Sequence, residues 1–192
     1  MEMAVVQPGQ DPNDRHNRRS YVAKFLTKEV NKVINVPVLK HHQSGGVTLA
    51  LKNIAYGMAN NVNRSHQNST LHCTGVFIPA IVDIPVFRRK VVLHILDGVR
   101  GVYHGGPSAR PQYIWEHQTM YFATDPVAMD KTGLKVIDEK RVQSGLATVA
   151  LSKPDAVSIR LNCQPEHIEI AAAFGLGEFD DAKIEVKKFS LS

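Results

Sequence analysis

The segment Lys40-His41-His42-Gln43-Ser44-Gly45-Gly46 sets a lysine and two histidines beside two glycines. It stands directly ahead of residues 47–60 (VTLALKNIAYGMAN), which read as a helix. A strand, a glycine-bearing turn and a helix N-terminus leave backbone N–H groups aimed at whatever anion sits there, and Lys40 and His42 add charge beside them. Gly45 and Gly46 let the backbone approach such a substrate closely. The Walker pattern and GxGxxG are both absent, so no nucleotide is specified. An ordinary tight turn, with glycines serving geometry alone, is the bland alternative.

Within the helix, Thr48, Lys52 and Tyr56 recur every four residues among Val, Leu, Ala, Ile and Met, which makes one polar stripe on an apolar helix. A lysine so placed snorkels to water, pairs with an acid or meets a bound anion, because an unpaired ammonium in a core is too costly. A second, acidic group comprises Asp97 after the strand-like run 90–96, Asp125 after 118–124, and Asp130. If both strands are parallel, Asp97 and Asp125 emerge at one carboxyl edge, where open α/β sheets collect ligands. Asp97, Asp125 and Asp130 could then hold a divalent metal through oxygen, or Asp97 and Asp125 could act as acid and base. The structural alternatives are helix capping for Asp125 before Pro126, a turn for Asp97 with Gly98, and a solvated helix position for Asp130. Among nine histidines, His42 and His66 bracket the striped helix; no HExxH and no GxSxG occurs.

The elements that must position these groups follow from periodicity. A short amphipathic helix is expected at 21–30, a strand at 32–39 with Pro37 near its end, and a proline-broken helix at 71–87. The clearest strand is 90–96, followed by a glycine- and proline-rich loop at 101–112, a strand at 118–124 and a helix from 126 to about 138. Weaker strand candidates are 147–151 and 156–161; a helix is expected near 165–174 and an edge strand at 182–189. Asn60, Asn61 and Asn63 favour a helix stop. The alternation predicts an α/β domain with a mostly parallel sheet flanked by helices, over residues 21–192, behind a flexible polar arm at 1–20.

The chain has 192 residues, 43% hydrophobic and 21% charged, enough for one domain with a core that needs no disulfide staples. There is no apolar run of membrane-spanning length and no secretory leader in the first twenty residues, so the chain as given reads as cytoplasmic. Net charge is +5, scattered except at Arg88-Arg89-Lys90, and one tryptophan offers little for bases to stack on. That pattern argues against nucleic acid and fits an anionic small molecule. Cys73 and Cys163 lack the two-residue spacing of cluster ligands, so no iron–sulfur cluster is expected on this chain alone.

Pro37 to His42, then Gly46 to Asn53, Asp97-Gly98, Gly106-Pro107 and Asp125-Pro126-Val-Ala-Met-Asp130, in that order, resemble the domain of unknown function 362 family. The resemblance covers most of the chain and best fits the carboxyl-terminal part of the domain. It implies bacterial or archaeal relatives, some with a ferredoxin-like domain and some exported behind a twin-arginine leader. The motif positions it carries over are Lys40, His42, Thr48, Lys52, Asn53, Asp97, Asp125 and Asp130. Taken with the chemistry of the residues, the candidates are Lys40, His42, Lys52, Asp97 and Asp125 for catalysis, Gly45, Gly46, Thr48, Asn53 and Gly106 for substrate binding, and Asp97, Asp125 and Asp130 for a metal. Two readings stay open. One is a small-molecule enzyme for an anionic substrate, metal-assisted or redox-linked. The other is a non-catalytic interaction or ligand-binding module that needs an amino-terminal portion or a ferredoxin-like partner to complete it. Carboxyl ends of strands 32–39 and 90–96 that face one pocket would favour the first, and a long unpaired hydrophobic edge of the sheet would favour the second.

Overall fold

The computed structural model describes residues 6, 9–62, 65, 73–158 and 164–191. After α1 (Lys24–Lys28), the aliphatic run expected as one strand is two, β1 (Val33–Asn35) and β2 (Val38–His42), interrupted at Pro37. β2 extends through Lys40, His41 and His42, so the turn expected from Lys40 shrinks to residues 43–45. It leads into β3 (Gly46–Val47), which folds back antiparallel on β2. Then come α2 (Ala50–Met58), a π-helical turn at Cys73–Phe77, α3 (Ile78–Val82) and α4 (Pro85–Lys90). The prolines at 79 and 85 stand in the first turns of α3 and α4, where a missing N–H costs nothing.

β4 (Val91–Val102) is the central strand. It pairs in parallel with β1 at Asn35–His94 and with β2 at Val38–Asp97 and Lys40–Val102. Its other flank carries β5 (Ile114–Ala123), antiparallel, with Ile95 opposite Phe122 and Asp97 opposite Met120. α5 (Pro126–Gln143) and α6 (Glu166–Ala173) complete a five-stranded α/β fold flanked by helices. The core lies where α2, α3, α5 and α6 meet the sheet, around Leu39, Leu96, Leu51, Ile78, Ile137 and Ile168.

Several expectations are corrected. Asp97 lies inside β4, because the strand continues to Val102. β4 and β5 do not share a carboxyl edge: their connection at 103–113 has no crossover helix, and a parallel return needs about a dozen residues or more, so they close antiparallel. Residues 149–151 form a single 3-10 turn, and 182–189 form no strand among the described residues. Of 156–161, the first three positions are irregular and the rest lie outside the described residues. At the other end, Asn61 takes the left-handed conformation expected of a stop (φ 51°). Its amide donates to the carbonyls of Asn17 and Arg19, tying the segment expected as an arm to the end of α2. No helix of the described residues is long and apolar enough to cross a membrane.

α2 begins at Ala50 behind Leu49, which has no side chain able to cap it. The cap comes from α5. Asp130, fully buried, accepts from the N–H of Ala50 at 2.6 Å through Oδ1 and from that of Leu51 at 3.0 Å through Oδ2. His167 of α6, also fully buried, brings Nε2 to 4.0 Å from Oδ2. Burial pushes the Asp130 carboxyl well above the usual range, against the pull of the two amides. Asp130→Ala strands two buried donors and is expected to lower the unfolding free energy by about 3 kcal/mol, read by urea denaturation. A loss below about 1 kcal/mol would mean that water replaces the cap.

Candidate functional site at the carboxyl edge of the parallel strands

β2 and β4 run in parallel and end together, and open α/β sheets put their ligands beyond such ends. Two turns meet there. The Gln43 N–H donates to the Gly106 carbonyl at 3.0 Å, and Gly106 lies so close to the His41 carbonyl that a Cβ would stand 1.7 Å from that oxygen. Only glycine fits. The hairpin turn closes through Gly46 in the left-handed region (φ 71°), and the Thr48 N–H returns to the Lys40 carbonyl at 2.9 Å. The Ser44 N–H donates to His42 Nδ1 at 3.1 Å, which leaves the neutral ring's proton on Nε2.

Under this edge sits a group with no motif to announce it. Arg141, in the last turn of α5 and 1% exposed, donates through Nε to the Ala147 carbonyl at 2.8 Å. Its Nη1 donates to the Tyr103 carbonyl and to His104 Nδ1, both at 3.0 Å. A guanidinium cannot accept, so His104 carries its proton on Nε2, which reaches Asp155 Oδ2 at 2.9 Å. His41 packs on His104 with ring centroids 5.5 Å apart, and His104 meets Tyr113 edge-on. Burial first, then the charges of Arg141 and His104, hold His41 down at about 3, while Asp155 pulls weakly the other way. His104 is lowered too, chiefly by burial, with Asp155 opposing. Both rings are neutral at physiological pH, suited to hydrogen bonding rather than to carrying charge. Two buried atoms here, His41 Nδ1 and Thr48 Oγ1, have no hydrogen-bond partner among the described residues.

Of the residues expected from sequence, Lys40, His42, Gly45, Gly46, Thr48 and Gly106 gather at this edge. The others do not join them. Asp97 belongs to the opposite face of the sheet from α5, with Val38 and Met120 as strand neighbours, and its Oδ1 accepts from the Val99 N–H at 3.0 Å. Asp125 caps α5 by accepting from Val127 and Ala128 at 2.8 Å each, and its other oxygen takes the Glu178 N–H. Asp130 is the cap of α2, so the helix N-terminus expected to cradle an anion is filled by a carboxylate of the chain itself. Asp97, Asp125 and Asp130 therefore form no shared metal site; among the described residues no group of three or more His, Cys, Asp or Glu could hold an ion. Lys52, 5% exposed, does not snorkel; its ammonium lies 3.8 Å from the centroid of the Tyr56 ring. His66 and Cys163 lie outside the described residues.

Asn53 serves a different network. Its amide donates to Asn35 Oδ1 at 2.7 Å, and Asn35 Nδ2 donates to the Ala50 carbonyl and to His94 Nδ1, both at 2.9 Å. His94 is 3% exposed, and burial holds it down at about 4 although Asp125 pulls upward. Sequence reasoning passed over His94, His104, Arg141 and Asp155 because no spacing links them.

Comparison with known proteins gives one match. The family model for a domain of unknown function, DUF362, fits residues 7–135. No curated protein and no solved structure matches the chain. The matched segment takes in all five strands, the carboxyl-edge turns, His94 and Asp130, and it ends before Arg141 and Asp155.

Four depressed histidines, His41, His94, His104 and His117, set a pH dependence, and His41 and His94 carry most of it. Unfolded, each ring takes its proton near 6.5, while the folded chain refuses it down to about 4 for His94 and about 3 for His41. Stability is therefore full above about 6.5 and falls on acidification, by about 1.4 kcal/mol per pH unit for each ring. Asp130 and Asp138, shifted upward, work in the opposite sense but are two groups against four histidines. Urea melts at stepwise lower pH should show stability dropping from neutrality toward pH 4.5. Constant or rising stability would contradict neutral His41 and His94.

Proposed function

From the premise that the chain belongs to the DUF362 family, whose domain has no established function, we propose that it is an interaction module, one part of a three-layer α/β unit. Its third layer is a set of amphipathic helices supplied by a partner. One observation carries this reading: among the described residues the helices cover only one face of the sheet. On the other face, strand alternation and register line up Ile34 beside Leu93, Ile95 beside Phe122, and Val38 and Met120 on either side of Asp97. Ile34 is 56% exposed and Phe122 66%. Strands paired in parallel are ordinarily buried on both faces, and Val33–Leu39 and Val91–Leu96 carry aliphatic residues at both parities, as strands so buried do. Covering each half-exposed side chain is worth about 1 kcal/mol, and contiguous patches of this kind mark interaction surfaces.

Light scattering at micromolar concentration and binding of a hydrophobic dye test the reading. The chain should be monomeric and bind dye, and Phe122→Asp should keep the fold and lose most of that binding. A stable dimer that Phe122→Asp dissociates would make a second copy the occupant in place of helices. Absence of dye binding would overturn the open face altogether.

A second reading, a small polar ligand at the carboxyl edge, is favoured by the orphaned His41 Nδ1 and Thr48 Oγ1. In the absence of ligand, Thr48→Val removes a desolvated hydroxyl that no group among the described residues satisfies, so stability should be unchanged or rise by about 1 kcal/mol. A loss above about 1 kcal/mol by thermal melting would mean that the hydroxyl is hydrogen-bonded in solution.

A further inference from the structure

At the far end of the sheet from the carboxyl edge, a cavity of about 160 Å³ opens between α2, α3, α4 and the start of α5. Ile54, Val82, Phe87 and Leu176 give it apolar walls, and His94, Thr124 and Arg88 line it too, the Arg88 guanidinium being bound to Asp83 and to the carbonyls of Phe174 and Gly175. The protonation of that ring follows from its neighbours. The Ala50 carbonyl can only accept, so Asn35 must turn its Nδ2 toward it, and the Asn53 amide donating to Asn35 Oδ1 fixes the same orientation. Asn35 Nδ2 therefore donates to His94 Nδ1, which puts the ring proton on Nε2. That Nε2–H donates to no group among the described residues.

We propose that this cavity is a binding site for a small neutral organic molecule carrying one hydrogen-bond acceptor, such as a short ketone, aldehyde or ester, with its oxygen on His94 Nε2–H and its hydrocarbon part against Ile54, Val82 and Phe87. The site is built in advance. Two side chains, Asn35 and Asn53, and the Ala50 carbonyl hold the donor in one orientation, so binding spends little on ordering it. An apolar cavity of about 150 Å³ is known to admit a benzene-sized guest, so the volume suffices. An anion is disfavoured, because the field at His94 comes from the Asp125 carboxylate, and the Arg88 guanidinium on the lining is already paired with Asp83.

The test uses the full chain with isotope-labelled histidine, titrated with cyclohexanone and separately with cyclohexane, while the His94 imidazole signals are followed by NMR. Without probe, the ring should show the Nε2-protonated tautomer. Cyclohexanone should shift the Nε2 signal to saturation and bind at least about threefold more tightly than cyclohexane, the increment of one neutral hydrogen bond. Val82→Phe fills the cavity away from the asparagine network and should weaken both probes by about tenfold while leaving the tautomer unchanged. Ile54→Phe serves the same purpose if Val82→Phe fails to fold. A cyclohexanone titration that does not saturate, equal affinity for the two probes, an Nδ1-protonated ring, or undiminished binding in the filled variant would each overturn the proposal.

Discussion

The N–H groups that open α2 have no acceptor nearby in sequence, since a leucine stands at the capping position, and they are met instead by a carboxylate from the middle of α5. Asp130 is fully buried, so both of its carboxyl oxygens need partners at close range. The two amides supply them, and with His167 packed 4.0 Å away the contact draws α2, α5 and α6 to one point. With α2 held, its first carbonyl, that of Ala50, stands where Asn35 can reach it. Asn35 then binds His94 across two parallel strands, so the helix layer and the sheet are aligned by one polar chain running through an apolar core. Chains of this kind specify a unique arrangement because each member is left unsatisfied by any other.

Much of this was legible from local chemistry. Asp125-Pro126 declares a helix start, and the cap is there; Asn61 declares a stop, and it sits in the left-handed region. The prolines at 79 and 85 break the helix where expected. What failed to show was whatever depends on residues far apart. The run 90–96 did not reveal that β4 continues through Asp97, because a bulge beside Gly98 lets the strand absorb polar residues and glycines that ordinarily mark an end. The direction of β5 depends on how residues 103–113 close, which no periodicity reports. Asp130 resembled a surface helix residue because its partners are backbone amides, and amides leave no trace in side-chain spacing.

The candidate site divides along the same line. The turn carrying Lys40, His42 and the glycines was visible as a cluster, and it stays together. The acids expected to face it were assigned by an assumed strand direction, and the antiparallel pairing sends them elsewhere. What lies under the turn instead is Arg141 with His104 and Asp155, each from a different loop or helix. A single guanidinium there satisfies carbonyls from two loops and sets the tautomer of a histidine between them, so the edge is shaped by one donor-only side chain rather than by a motif.

Arg88-Arg89-Lys90 was the densest positive spot in the chain. Lys90 donates to the Leu26 and Thr27 carbonyls at the end of α1, and Arg88 to the Phe174 and Gly175 carbonyls at the end of α6 while also pairing with Asp83. Two of the three cations are thus engaged with the carbonyls of helix ends. The field this molecule presents to its surroundings is accordingly milder than its isoelectric point near 9.2 suggests. A polyanion approaching α4 meets Arg89 with two neighbours already committed to scaffolding.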